Sequence, residues 1–194
     1  MSTRTRFGAV FKNPQGQLSL QWIEAQFSAG LPEIRIIGSA SREVAEARDR
    51  IRLAVASSGY KLQRRRVTIN LTPGFVRKTG TESDLAMALA VLTAQGSLQL
   101  PPGVWIAGGE LGLSGEIRPV AQPQAWVLAA KELARAGGPV GVLLSRSHAP
   151  QLSRLSTSQV KIAFVDHLEN LKQGALTFHA EEAPVTALNI TFSF

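Results

Sequence analysis

The chain has 194 residues, 44% hydrophobic and 18% charged, and its 21 Lys and Arg against 14 Asp and Glu leave a formal charge of +7. A chain of that length suits one domain, or one plus an appendage, and buries about 70% of its unfolded surface, so wholesale disorder is excluded. No apolar run reaches the roughly 18 residues of a membrane span, no apolar stretch follows the basic N-terminus as in a secretory signal, and the absence of cysteine excludes a disulfide framework, a thiolate nucleophile and a cysteine zinc site.

Leu18, Leu20 and Trp22 alternate with polar residues, as in a half-buried strand. Glu33 to Ile37 reads as a second strand, entered through the turn Gly30-Leu31-Pro32. Val44, Ala47, Ile51 and Val55 then recur at helical spacing, predicting a helix over 42–58 that ends at Gly59. Val67 to Leu71 is a β-branched strand, broken by Thr72-Pro73-Gly74. The polar stretch from Arg77 to Ser83 reads as a loop, and Asp84 is placed to cap a helix over 84–95. Val104 to Ala107 is a short apolar strand, and Glu110 to Val120 reads as two strands about the turn Leu113-Ser114-Gly115-Glu116. Pro123 opens a third helix, over 123–136. Val140 to Leu144 and Lys161 to Val165 follow as buried strands, with a short helix from His167 to Gln173. Residues 180–184 read as a linker and 187–192 as an edge strand or tail. Strands and helices alternate, which predicts an α/β domain over 1–175 and a linker or tail over 176–194.

The charge is unevenly placed. Residues 1–78 hold 14 Lys and Arg against 5 acids, whereas residues 79–194 hold 7 against 9. Such a one-sided field attracts nucleic acid or another polyanion. Lys61, Arg64, Arg65, Arg66, Arg77 and Lys78 flank the two ends of the 67–71 strand and form the candidate DNA-binding cluster. Arginine forks bind phosphate oxygens, and cations release condensed counterions, so contact with the phosphate backbone is the expected mode. Only Tyr60 and Phe75 lie nearby to stack on bases.

Catalytic signatures are missing. No G-x-x-x-x-G-K-[ST] phosphate loop or G-x-G-x-x-G fingerprint occurs, and Gly108-Gly109 lies between two strand candidates. His148, His167 and His179 lack the spacing of metal ligands, and no serine sits in a G-x-S-x-G elbow. Glu110 and Glu116 read as solvated strand-end charges. No catalytic residue, metal site or cofactor is therefore assigned to this chain.

Four stretches in register carry a resemblance: GLPEIRIIG at 30–38, EARDRI at 46–51 with Ser58-Gly59-Tyr60, VTINLTP at 67–73 and GELGLSGEIRPV at 109–120. Together they resemble the N-terminal domain of the ComM/YifB family, the magnesium-chelatase-subunit-related AAA+ proteins. The resemblance implies a mixed-sheet α/β sandwich of the Lon-protease-like, ribosomal-protein domain-2 type. It also implies work on DNA in hexameric branch-migration helicases of natural transformation, with ATP and Mg expected only alongside an AAA+ module and with ring self-association through that module. A cytoplasmic location and no membrane partner are expected. The Lon-type serine and lysine positions fall on Glu82 and Gln124, so the resemblance does not bring a serine–lysine dyad with it. The family's K-E-G-G-R-[YF]-D-L loop keeps Lys78, Gly80, Asp84 and Leu85 here, while Thr81, Glu82 and Ser83 replace glycine, arginine and the aromatic residue. The alternative function is an assembly or regulatory domain that binds another protein.

Overall fold

The computed structural model describes residues 5–12, 15–173 and 178–179. Strands β1 (Arg6–Lys12), β2 (Leu18–Ser28), β3 (Glu33–Ile37) and β4 (Arg66–Thr72) form one half of a mixed sheet. Strands β5 (Val104–Ala107), β8 (Val140–Ser145), β9 (Val160–Val165) and β10 (Phe178–His179) form the other. The order is β10-β9-β8-β5-β1-β2-β4-β3. β6 (Glu110–Leu111) and β7 (Ile117–Arg118) make a separate small hairpin, on the two sides of the turn the sequence predicts.

Paired residues of a ladder share a face, so the register sorts the first half-sheet cleanly. Ile23 opposite Leu71, Ala25 opposite Ile69 and Ile36 opposite Ile69 point to the core. Trp22 opposite Thr72, Glu24 opposite Asn70, Gln26 opposite Thr68 and Arg35 opposite Thr68 occupy the other side. This second side is exposed or half-buried from Trp22 onward in β2 and along β4 and β3, whereas Leu18 and Leu20 at the start of β2 are buried. A sheet with one solvated face needs that alternation.

Helix α2 (Asp84–Ala94) covers the apolar side, packing on β1, β2 and β4. It is apolar all round, and every residue from Asp84 to Leu92 is buried. Helix α1 (Arg42–Ser57) lies outside it and buries only the stripe Val44, Ala47, Ile51, Ala54 and Val55. Its cap is Ser41, whose hydroxyl accepts from Val44 N. Helix α3 (Pro123–Gly137) packs on β8, β9, β5 and β1. The chain is thus a mixed α/β sandwich.

Several boundaries differ from expectation. β1 and the helical turns at 146–155, which include α4 (Ala149–Leu152), have no counterpart in the sequence reading. The expected helix at 167–173 is a 3-10 segment, Leu168–Gln173. The linker at 180–184 and the strand or tail at 187–192 lie outside the described residues. Gly115 holds the hairpin turn against the C-terminus of α1: its φ is +99°, and a Cβ there would stand 2.1 Å from Ser58 Oγ.

Candidate nucleic-acid interface

The loop after β4 is fixed from within by a lysine. Lys78 is completely buried, and its Nζ donates to the carbonyl oxygens of Gly38 at 2.8 Å, Leu71 at 3.3 Å and Pro73. Its backbone N–H donates to Ser39 O, and its carbonyl accepts from Ser41 N. The Ser39 hydroxyl donates to Gly74 O. The loop is therefore tied to the β3–α1 junction at several points. Burial lowers the Lys78 pKa from its ordinary value of 10.5. Close approach of the strand ends requires glycine at position 38, where φ is +105° and a Cβ would stand 2.1 Å from Leu71 O.

Lys78 therefore leaves the expected DNA-binding cluster: its ammonium is engaged by three carbonyls and cannot reach a phosphate. The remaining members divide. Lys61, Arg64 and Arg65 are exposed and precede β4, while Arg77 is exposed beyond its far end. Seven residues of strand put these groups about 20 Å apart. Arg66 opens β4, half-buried, with Nε 3.2 Å from Glu33 Oε2. Strand alternation does not extend over Arg64 and Arg65, because they lie in a bend; both reach solvent all the same. Arg6 and Arg35 add to the exposed sheet side and its rim, against Glu24, Glu33 and Glu43.

The two nearby aromatic residues part as well. Tyr60 is buried, its hydroxyl donates to Leu168 O at 3.3 Å, and Lys172 Nζ lies 4.9 Å from its ring centre, so it cannot meet a base. Phe75, at the tip of the anchored loop, is 87% exposed.

The loop and turn that match the Lon-type positions are neighbours in space. Glu82 Oε1 accepts from Ala121 N at 2.6 Å. Gln124 bonds Gln151 at 3.2 Å. Ser83 is buried, and its Oγ has no hydrogen-bond partner. His148 Nε2 accepts from Val120 N at 3.1 Å, and its Nδ1 lies 3.1 Å from Gln151 Nε2. Glu82 and His148 thus hold two consecutive N–H groups of the turn that enters α3. Among the described residues no group of three or more His, Cys, Asp or Glu could hold a metal ion.

Burial lowers the His148 pKa from 6.5, with the Glu82 charge opposing. A depressed histidine pKa stabilises the fold above the unfolded value, and that contribution is lost as pH falls through the folded value. The urea midpoint is expected to drop as pH falls below about 6.5. His148→Gln should flatten that drop, and an unchanged slope in the variant would remove His148 as its source.

Asp84 does not act as the expected cap. Helix α2 starts at Asp84 itself, Ser83 makes no capping bond, and loop carbonyls serve the first amides: Asp84 N donates to Thr81 O and Leu85 N to Gly109 O. The Asp84 carboxylate is fully buried and accepts from Arg50 Nε at 2.6 Å, Arg50 Nη2 at 3.0 Å and Leu111 N at 3.3 Å. It joins α1, α2 and the β6–β7 hairpin. Glu110 is likewise engaged, by the Thr81 hydroxyl and by Arg118 Nη1 at 2.8 Å. The Thr81 bond is the main cause of its lowered pKa.

Comparisons with known proteins show the family of the chain. The family described as subunit ChlI of Mg-chelatase matches residues 23–137. The protein YifB of Salmonella typhimurium is 35% identical over 164 residues, covering 84% of this chain and 31% of that protein. The YifB protein of Escherichia coli is 32% identical over 163 residues, 84% of this chain and 31% of its own. The competence protein ComM of Haemophilus influenzae is 30% identical over 150 residues, covering 76% of this chain and 28% of ComM. The matched region spans about a third of these relatives.

Proposed function

Because the chain belongs to the family of the Mg-chelatase ChlI subunit, with YifB and ComM among its relatives, we propose that it is a non-catalytic, DNA-associated domain of a ComM-like branch-migration machine. The observation that carries this reading is the basic excess of residues 1–78, where 14 Lys and Arg stand against 5 acids and several arginines are exposed. Arg6, Arg35, Arg64, Arg65, Arg66 and Arg77 outnumber the three glutamates around them, and Arg64, Arg65 and Arg77 are exposed. Those side chains contact phosphates without reading sequence. ATP and Mg act only on an AAA+ module in this reading, which also forms the ring. The location that goes with it is cytoplasmic. Among the described residues no helix is long and apolar enough to cross a membrane.

Salt dependence tests it. Binding to duplex DNA is expected to weaken steeply as salt rises. The double variant Arg64→Ala/Arg65→Ala should reduce the log–log slope by about 2, at about 0.9 for each phosphate no longer neutralised. A chain that binds no single-stranded, duplex or branched DNA at low salt sinks the reading. The assembly or regulatory domain then takes its place. It is favoured by β3, an edge strand of the sheet with Leu31 81% exposed beside it.

A further inference from the structure

We propose that the Phe75 loop and the sheet side next to it form a platform for single-stranded DNA, on which Phe75 stacks against an unpaired base. The proposal rests on the phosphate-contact reading above and names the kind of DNA bound.

Phe75 is held out of the protein rather than left loose. Three carbonyl bonds from Lys78, the Ser39 bond to Gly74 O and the Val76 N–H bond to Pro73 O fix the loop on both sides of it. A phenyl ring gains about 1.5–3 kcal/mol when buried, so a rigid loop that keeps one in water forgoes that gain unless a ligand covers the ring. A loop whose backbone is already fixed loses less entropy on binding than a loose one.

A second aromatic stands at the same end of the sheet. Trp22 pairs with Thr72, and Arg6 lies 4.2 Å over its ring. Phe75 follows Thr72 by three residues, at most about 11 Å of chain. Half-buried Trp22 with Arg6 on its ring, exposed Phe75 and exposed Arg77 thus lie toward the same end of the sheet. That arrangement suits a backbone with splayed bases, since every base offers a π-face and stacking tolerates sequence.

Duplex DNA does not offer this. Its bases are already stacked, and only their edges reach the grooves.

Fluorescence anisotropy on the full chain tests the proposal. The probes are labelled oligothymidylate of roughly 20 nucleotides, an abasic strand of equal charge and a duplex of equal length, a span that covers one binding site. Oligothymidylate is expected to bind more tightly than the abasic strand. Phe75→Ala should weaken it by about 5- to 150-fold while leaving the duplex and the salt slope unchanged, and Phe75→Trp should restore it. Equal binding of oligothymidylate and the abasic strand, both untouched by Phe75→Ala yet weakened by Arg64→Ala/Arg65→Ala, overturns the platform and leaves phosphate contact standing. Weakening by Phe75→Ala alone supports the platform and removes the Arg64–Arg65 reading. No binding to any probe ends both.

Discussion

Asp84→Ala should lower the unfolding free energy by about 3–5 kcal/mol. The carboxylate is fully buried and the Arg50 side chain is only 18% exposed, so removing one partner strands a guanidinium in a poorly hydrated place. The N–H of Leu111 loses its acceptor at the same time. Burial raises the Asp84 pKa and the Arg50 bonds pull it down, while the bond to Asp84 raises that of Arg50. The pair holds the outer helix to the central one and the hairpin to both. Urea unfolding followed by tryptophan fluorescence measures the loss. A change under about 1 kcal/mol would show that the fold does not depend on the pair.

Lys78→Met should cost about 2–4 kcal/mol and leave the salt slope of duplex binding unchanged. Methionine fills much of the volume but donates nothing, so the carbonyls of Gly38, Leu71 and Pro73 lose a charged donor together. Orphaned buried acceptors each cost about 1–3 kcal/mol; removal of a costly buried charge offsets part of the sum. Lys78→Met combined with salt titration separates the two roles considered for this residue. A folded variant with a shallower salt slope would return Lys78 to the DNA-contacting set.

What the sequence shows and hides follows from the range of the interactions. Helix α1 is legible because Val44, Ala47, Ile51 and Val55 repeat at the helical period, and β4 because Val67, Ile69 and Leu71 alternate over β-branched ground. The loop from 77 to 83 is legible from its polarity. β1 is not, because its run Phe7 to Phe11 is buried on both sides and shows no alternation. Asp84 looks like a cap because capping is local, whereas its partner lies 34 residues upstream and no local pattern points to it. Lys78 reads as a surface cation because lysine is almost never fully buried unpaired. The one trace of its true place is Gly38, which only a close crossing of strand ends requires. The exposed arginines are legible as charge, but the division between the two ends of β4 depends on where the strand begins. Nothing local tells Phe75 from Tyr60, one held out and the other packed in.

Helix α2 is enclosed on every side from Asp84 to Leu92, and this decides how the molecule can change. No partner, nucleic acid or neighbouring subunit reaches that helix, so its residues take part in recognition only by keeping the rest in shape. Substitutions there alter how much folded protein exists, whereas changes of selectivity must arise on the sheet's open side, the loop tips and the outer face of α1. The fold thus separates abundance from specificity along the chain, with residues 84–92 governing the first.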